Sequence, residues 1–158
     1  MPAVTVPDIT LLARTPVADL LTARPRPVIS LSTAPSGFEG EGFPVRRAFA
    51  GVSHAVLDPF IHMDQMGPIA YEPYMPKGTP WHPHRGFETV TYMLAGRMRH
   101  RDHLGNVGLL EPGSVQWMTA GRGILHSEMP EQENGLLWGF QLWINLPARS
   151  KLCAPGYQ

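Results

Sequence analysis

Several features that mark common protein classes are scarce in this sequence. Cys153 is the single cysteine among 158 residues. It excludes a disulfide within the chain and a zinc or iron–sulfur site built from cysteines, and it is typical of a reducing compartment. Thirteen acidic residues balance 13 basic residues. No overall positive field is therefore available to attract the phosphates of nucleic acid, and direct nucleic-acid binding is not expected.

Long apolar runs are also absent. No run approaches the roughly 20 residues that a membrane-spanning helix needs. The N-terminus lacks the basic start and compact apolar block of a secretory signal. We therefore expect a cytoplasmic protein with no membrane partner.

The sequence has few stretches that could form a long helix. Seventeen prolines and 16 glycines divide the chain into short segments, which favours sheet. Residues 17–24 could form two helical turns before Pro25 and Pro27 end them, although an irregular, mobile leader is an equal alternative. The length fits one domain, and 43% hydrophobic residues suffice for a core. We expect a leader over residues 1–28 and one domain over residues 29–158.

Most of that domain has the pattern of short β-strands. Segments rich in β-branched and aromatic residues alternate with turns that contain glycine. Residues 58–74 are instead expected to be irregular and to wrap over one mouth of a barrel. The pattern predicts an all-β protein with an antiparallel β-barrel of the meander or jelly-roll type. The predicted strands are residues 28–33, 43–49, 87–94, 97–103, 107–110, 114–119, 124–129 and 136–146.

Two pairs of side chains indicate a metal site. His82 and His84 stand two residues apart, as do His126 and Glu128. In a strand such residues share a face and lie roughly 6.5 to 7 Å apart at the backbone, so each pair can act as two ligands. If the two strands are neighbours, three imidazoles and one carboxylate converge. This set suits one divalent transition metal, Fe(II) best, with Mn, Ni, Cu or Zn as alternatives.

The other histidines of the chain have a simpler interpretation. A lone histidine in a strand is more often a hydrogen-bonded core or surface residue than a metal ligand. We interpret four of them in this way: His54, His62, His100 and His103.

Longer motifs give the sequence a family resemblance. Over residues 29–158 the chain resembles the pirin family of the cupin superfamily. The motifs that carry the resemblance are HPHRGFETVTYMLAGRMRHRDHLGN at 82–106, GSVQWMTAGRGILHSEMP at 113–130, DPFIHMDQMGP at 58–68 and FQLWINLPA at 140–148.

The resemblance implies a cupin barrel that binds iron through His82, His84, His126 and Glu128. Ordinary cupins take their glutamate from the first motif, where this chain has Glu88. Because the pirin motif HSEMP is intact, we assign the ligand to Glu128. Glu88 then supports the site without binding the metal, or is the alternative ligand.

Pirins generally carry two cupin domains, and this sequence stops where the family continues into the second. We therefore expect the N-terminal cupin domain only. Apolar surface from residues 58–74 or 136–146 would then be exposed, and a homodimer is expected.

The resemblance implies a dioxygenase of the quercetin 2,3-dioxygenase type, which takes a flavonol and dioxygen and releases carbon monoxide. Glu128 would be the catalytic base. Four apolar side chains are candidate walls for a flat aromatic substrate, or ordinary core residues. These are Phe60, Trp81, Trp117 and Met118.

The alternative is an iron-dependent redox-sensing protein that is not an enzyme and binds a transcription regulator or a metabolic enzyme. Arg97, Arg99 and Arg101 alternate along one predicted strand and could form a basic strip for an acidic partner. A solvated strand face is the other interpretation of these arginines.

Overall fold

Two antiparallel sheets make up the computed structural model, which describes residues 17–25 and 27–158. The short elements outside the sheets are the helix α1 (His54–Leu57) and a 3₁₀ turn at Ala148–Ser150. The strands of the described residues are β1 (Ser36–Glu39), β2 (Phe43–Arg47), β3 (Phe60–Tyr71), β4 (Thr79–His84), β5 (Phe87–Ala95), β6 (Met98–Asp102), β7 (Val107–Leu110), β8 (Val115–Thr119), β9 (Ile124–Pro130), β10 (Gly135–Asn145) and β11 (Gly156–Tyr157).

The strand order confirms the predicted antiparallel all-β fold. One sheet has the order β1-β2-β3-β10-β5-β8-β11, and the other has the order β4-β9-β6-β7. From β5 to β10 the chain passes repeatedly between the two sheets, which is the jelly-roll alternative rather than a simple meander. The six strands predicted between residues 87 and 146 are all present, as is the strand predicted at 43–49.

The interior combines apolar clusters with buried polar side chains. Met93, Met118 and Leu137 are fully buried, as expected for residues that alternate inward along a strand. Several polar residues are equally buried and lie on the inner faces of the strands. They include Thr89, Thr91, His100, Gln116, His126 and Glu128.

The interpretation of residues 58–74 as an irregular segment was wrong. Twelve of these residues form β3, which pairs with β2 on one side and with β10 on the other. Gly67 and Pro68 weakened the sequence signal, but they coincide with a register shift between Leu137 and Gly139 of β10. A bulge of this kind tolerates a residue without a free N–H group.

The strand predicted before residue 36 was also wrong. Residues 28–33 form no strand, and Ile29 and Leu31 are 84% and 92% exposed, without a neighbouring strand to pair with. For residues 17–24 the structure has the irregular alternative, with one turn and no helix. Asp19 closes it by accepting hydrogen bonds from the backbone N–H groups of Leu21 and Ala23. A helix of two turns needs packing partners to be stable, and these exposed residues have none.

The rest of the predicted leader, residues 1–16 and 26, lies outside the described residues. Within the described part of the chain, no helix has the length and apolar character needed to cross a membrane.

Candidate metal centre

The pairing of β4 with β9 brings three histidines together. His82 lies directly opposite His126 in this antiparallel pair, and His84 follows two residues later on the same face. The ring centroids are 4.4 Å apart for His82 and His126, and 4.9 Å apart for His84 and His126. One nitrogen of each ring lies within 4.8 Å of the others. The three imidazoles therefore face a common point.

The ring nitrogens differ in their partners. Nδ1 of His82 lies 2.6 Å from the backbone oxygen of Pro80, and Nε2 of His82 lies 3.0 Å from Nε2 of His84. Nε2 of His126 is buried and has no hydrogen-bond partner. A buried polar atom without a partner is costly, and a bound metal ion is one way in which such an atom is satisfied.

Burial keeps two of these imidazoles neutral. It is the main cause that lowers the pKa of His84 to about 3, and the neighbouring His126 and His82 add to the effect. Burial also lowers the pKa of His126 to about 3, with further contributions from His82 and His100. Neutral imidazoles at physiological pH have their lone pairs available for a metal without competition from protons.

Glu128 is the nearest carboxylate on the same strand as His126. It is 5% exposed, and both of its oxygens accept hydrogen bonds. Gln116 Nε2 donates to Oε1 at 2.7 Å, and Gln141 Nε2 donates to Oε2 at 2.8 Å. Glu128 does not belong to the group of three histidines but forms a second, overlapping group with His100 and His126. The two glutamines fix the orientation of the carboxylate at the edge of the histidine cluster.

Glu88 lies elsewhere. It is on the opposite face of β5 from Thr89 and Thr91, and it accepts a hydrogen bond from Thr119 Oγ1 at 2.7 Å. It lines a separate cavity beside Cys153. The structure therefore does not bring Glu88 to the histidine cluster.

The histidine cluster opens into a cavity of about 360 Å³. Of the four predicted wall residues, Trp81 lines this cavity. Met118 is fully buried in a separate apolar cluster with Ala120, and Phe60 and Trp117 do not line the cavity. The lining side chains that matter chemically are His62, Asp64, Trp81, His82, His84, Glu128, Gln141 and Trp143.

Sequence reasoning missed two pairs of these residues. His62 and Asp64 alternate on β3, and Gln141 and Trp143 alternate on β10. His62 stacks on Trp143 with ring centroids 4.7 Å apart, and its Nε2 lies 2.8 Å from Asp64 Oδ2. The spacing of two residues is a signal for both pairs. It is obscured because Gly67 and Pro68 interrupt the strand pattern around the first pair, and because apolar residues dominate the segment 136–146 around the second.

An arginine holds the carboxylates of a third group of acidic and histidine side chains. Glu39, His62 and Asp64 lie within 4.8 Å of one another. Arg47 donates to Asp64 through Nε at 3.2 Å and through Nη2 at 3.0 Å, and it also pairs with Glu39. Burial would raise the pKa of Asp64, but hydrogen bonds from His62 and Arg47 outweigh it and lower the pKa. This group is an ion-pair network in the cavity wall.

Comparison with a family profile shows the family to which the chain belongs. The profile described as Pirin matches residues 42–144. The chain belongs to the pirin family. Its two-sheet barrel is accordingly a cupin-type fold, as the motif resemblance implied.

Other pirin-family relatives support this assignment. A Pseudomonas aeruginosa protein named "Putative quercetin 2,3-dioxygenase" is 56% identical over 135 residues, covering 85% of this chain and 47% of the relative. The crystal structure of a quercetin 2,3-dioxygenase from Acinetobacter baumannii superposes with a TM-score of 0.72 at 38% identity, covering 80% of this chain and 46% of that protein. The chain thus spans about half the length of these relatives.

One relative was solved with a metal. The pirin YhhW from Escherichia coli, in complex with nickel(II), superposes with a TM-score of 0.62 at 26% identity, covering 79% of this chain and 53% of that protein. Divalent metal binding therefore occurs within the family.

Proposed function

We propose that this chain binds one divalent transition metal on His82, His84, His126 and Glu128, and that Fe(II) is the metal for its reaction. The observation that carries the proposal is the convergence of three imidazoles, one of which, His126, has a buried Nε2 without a hydrogen-bond partner. The donors are nitrogen and oxygen atoms, which fits Fe(II) and also Mn, Ni, Cu and Zn. The nickel complex of the Escherichia coli relative supports the binding of a divalent metal by this chain.

We further propose that the site belongs to a dioxygenase that acts on flavonols, of the quercetin 2,3-dioxygenase type. The names of the Pseudomonas and Acinetobacter relatives support this reaction. The cavity supports the substrate class, because Trp81 and Trp143 provide aromatic walls beside a few polar groups. A bound metal of this kind supplies Lewis-acid chemistry and a means of using dioxygen.

The protein's own residues have distinct tasks in this proposal. Glu128 takes the proton of the substrate hydroxyl, which is a general-base role. Gln116 and Gln141 hold its two oxygens in place, so that the carboxylate is oriented before the substrate enters. The tryptophan walls position the flat substrate and exclude water.

Turnover of quercetin tests the proposal. Protein loaded anaerobically with Fe(II), then given quercetin and air, should bleach the visible absorbance of the flavonol. His126→Ala should abolish bleaching and retain the circular dichroism spectrum of the parent, since it removes the central ligand. His54→Ala changes an exposed histidine of α1 and should bleach like the parent protein. Bleaching that survives in His126→Ala would overturn the proposal.

The absence of turnover would favour the alternative function. A folded protein that binds metal but leaves quercetin unchanged with Fe, Mn, Ni, Cu and Zn would support a metal-dependent protein that binds a transcription regulator or a metabolic enzyme. The basic strip of Arg97, Arg99 and Arg101 offers such a partner fewer free positive charges than the sequence indicated. Arg99, at its centre, is paired with Glu131, which directly follows β9.

A further inference from the structure

The two nitrogens of His126 face different surroundings. Nε2 is the buried nitrogen without a partner, and we assign it to the proposed metal site. Nδ1 lies 3.3 Å from Nδ1 of His100. His100 is fully buried on β6, and its Nε2 lies 3.4 Å from Asp102 Oδ2. Asp102, His100 and His126 therefore form a continuous hydrogen-bonded chain behind the metal site.

When a metal is bound, the hydrogen-bonded chain of these three side chains allows only one assignment of protons to the ring nitrogens. A ligating Nε2 carries no proton, so a neutral His126 has its proton on Nδ1 and donates it to His100. Nδ1 of His100 must then accept, which places the His100 proton on Nε2, where it is donated to Asp102. Each contact has one donor and one acceptor in this order.

We propose that Asp102 and His100 are positioning residues that hold His126 in the tautomer protonated at Nδ1, so that Nε2 is free to bind the metal. The inference rests on the proposed metal site and goes beyond it, because neither residue is a metal ligand in that proposal. A metal-bound histidine commonly donates its other N–H to a carboxylate or another acceptor, which fixes the ring and raises its basicity. Here a second imidazole transmits the effect of the carboxylate.

Asp102 is anchored as an acceptor. Its Oδ1 accepts the backbone N–H groups of Leu104 at 2.9 Å and Asn106 at 3.0 Å, and its Oδ2 accepts Asn106 Nδ2 at 2.7 Å. These groups donate hydrogen bonds, so the carboxylate is held in its charged form. It can therefore only accept from His100. This sets the direction of donation along the hydrogen-bonded chain, from His126 through His100 to Asp102.

The His100 ring is also fixed in orientation. Tyr157 of β11 stacks on it with ring centroids 4.3 Å apart and an interplanar angle of 16°. The tyrosine fits there because Gly108, opposite His100 on β7, has no side chain, and a Cβ at that position would collide with the tyrosine hydroxyl. The stack prevents the imidazole from turning away from His126.

Asp102→Asn tests the proposal with little change in shape. The amide oxygen should take the Oδ1 position, where two backbone N–H groups donate. The NH₂ group then takes the Oδ2 position, where it faces both His100 Nε2 and the side-chain amide of Asn106. It donates one N–H to His100 Nε2, and the Asn106 amide turns over so that its oxygen accepts the other. This reverses the proton order, since His100 becomes a donor toward His126, and His126 must carry its proton on Nε2, where it blocks the metal.

Two measurements test this reversal. In the metal-free parent protein, nitrogen-15 NMR should show His126 protonated at Nδ1, and in Asp102→Asn it should show protonation at Nε2. Competition with a chelator for Co(II) should show about 10–100-fold weaker binding by Asp102→Asn. Asp58→Asn makes the same chemical change outside this chain of contacts and should bind Co(II) like the parent.

Other results would overturn the inference. One is a parent protein with His126 protonated at Nε2. Another is an Asp102→Asn protein with the parent tautomer and affinity. A third is Co(II) binding that survives in His82→Ala and His84→Ala but not in His100→Ala, because this would place the metal on the second group, with His100 as a ligand. The tautomer readout is independent of turnover, so failure of the dioxygenase proposal would remain distinguishable.

A pair of His100 variants separates positioning from packing. Asn places its amide oxygen near the position of the histidine Nδ1, so His100→Asn retains an acceptor for His126. Leu fills similar space but offers no acceptor. We expect His100→Asn to bind Co(II) more tightly than His100→Leu, while both have the parent's circular dichroism spectrum. Equal affinities for the two variants would contradict a positioning role.

Discussion

At the scale of single residues, the two glutamates that are candidate ligands have different environments. Glu128 is held by two glutamine donors at the edge of the histidine cluster, whereas Glu88 accepts from Thr119 on the other face of β5. Its environment, rather than its position in a motif, therefore makes Glu128 the better candidate ligand.

Matched substitutions test this difference. In Glu128→Gln, the new NH₂ group would face a glutamine donor, and one charged ligand would be lost. We expect Co(II) affinity to fall about 10-fold or more. Glu88→Gln keeps an acceptor for Thr119 and should bind Co(II) like the parent protein. Chelator competition measures both affinities. A fall in Glu88→Gln together with normal binding in Glu128→Gln would assign the ligand to Glu88.

Local spacing was enough to propose the histidine pairs, because residues two apart in a strand share a face whatever the rest of the fold. The partners of Glu128 could not be proposed in this way. Gln116 and Gln141 come from β8 and β10, and their contact with Glu128 depends on which strands face each other across the barrel. His100 was interpreted as an ordinary core histidine for the same reason, since its contact with His126 requires the pairing of β6 with β9.

At the scale of elements, the strands found by sequence reasoning were those with regular alternation and glycine turns. The strand predicted at 28–33 alternates as well, but no neighbouring strand pairs with it. In β3 the situation is reversed. Gly67 and Pro68 interrupt its alternating pattern, but it forms a strand because it pairs with a neighbouring strand on both sides. Strand formation at these two places depends on long-range partners.

Gly67 is the position in β3 with the clearest requirement for glycine. Its φ is +70°, and an added Cβ would collide with the backbone oxygen of Leu137. We expect Gly67→Ala to lower the free energy of unfolding by about 1–3 kcal/mol from backbone strain alone, and further from the clash. Urea denaturation measures this loss.

Gly37→Ala is the matched control for that prediction. Gly37 lies in β1, and an added Cβ would meet nothing within 4 Å. Its unfolding midpoint should stay close to that of the parent. Equal midpoints for the two variants would show that the bulge in β3 accommodates a side chain.

At the scale of the whole molecule, the proposed site needs both sheets. The four candidate ligands lie on β4 and β9 of one sheet, while Thr91, Gln116, Gln141 and Trp143 come from the other. The interior of the barrel is thus partly a polar site and not only an apolar core. This burial lowers the free energy of unfolding, because imidazoles that water would solvate in the unfolded chain are buried in neutral form in the folded protein.

The burial of neutral imidazoles predicts how stability depends on pH. Burial lowers the pKa of both His84 and His126 to about 3, whereas the ordinary value is 6.5. Below about pH 6.5 the unfolded chain takes up protons at these residues and the folded protein does not. The free energy of unfolding of the metal-free protein should therefore fall as the pH drops from 6.5 toward 3. Above pH 6.5 the two histidines should contribute no slope.

Urea denaturation of the metal-free protein between pH 4.5 and 7.5 measures this slope. The carboxylates with lowered pKa values contribute a slope mainly at the acid end of this range or below it, because the ordinary values are 3.8 for Asp19, Asp64 and Asp102 and 4.5 for Glu131. His126→Leu removes one of the two titrating groups, so its stability should fall less steeply with acidification, by up to about 1.4 kcal/mol per pH unit. A parent protein equally stable at pH 5 and pH 7, or a variant with the parent's slope, would show that these histidines are not held neutral by the fold.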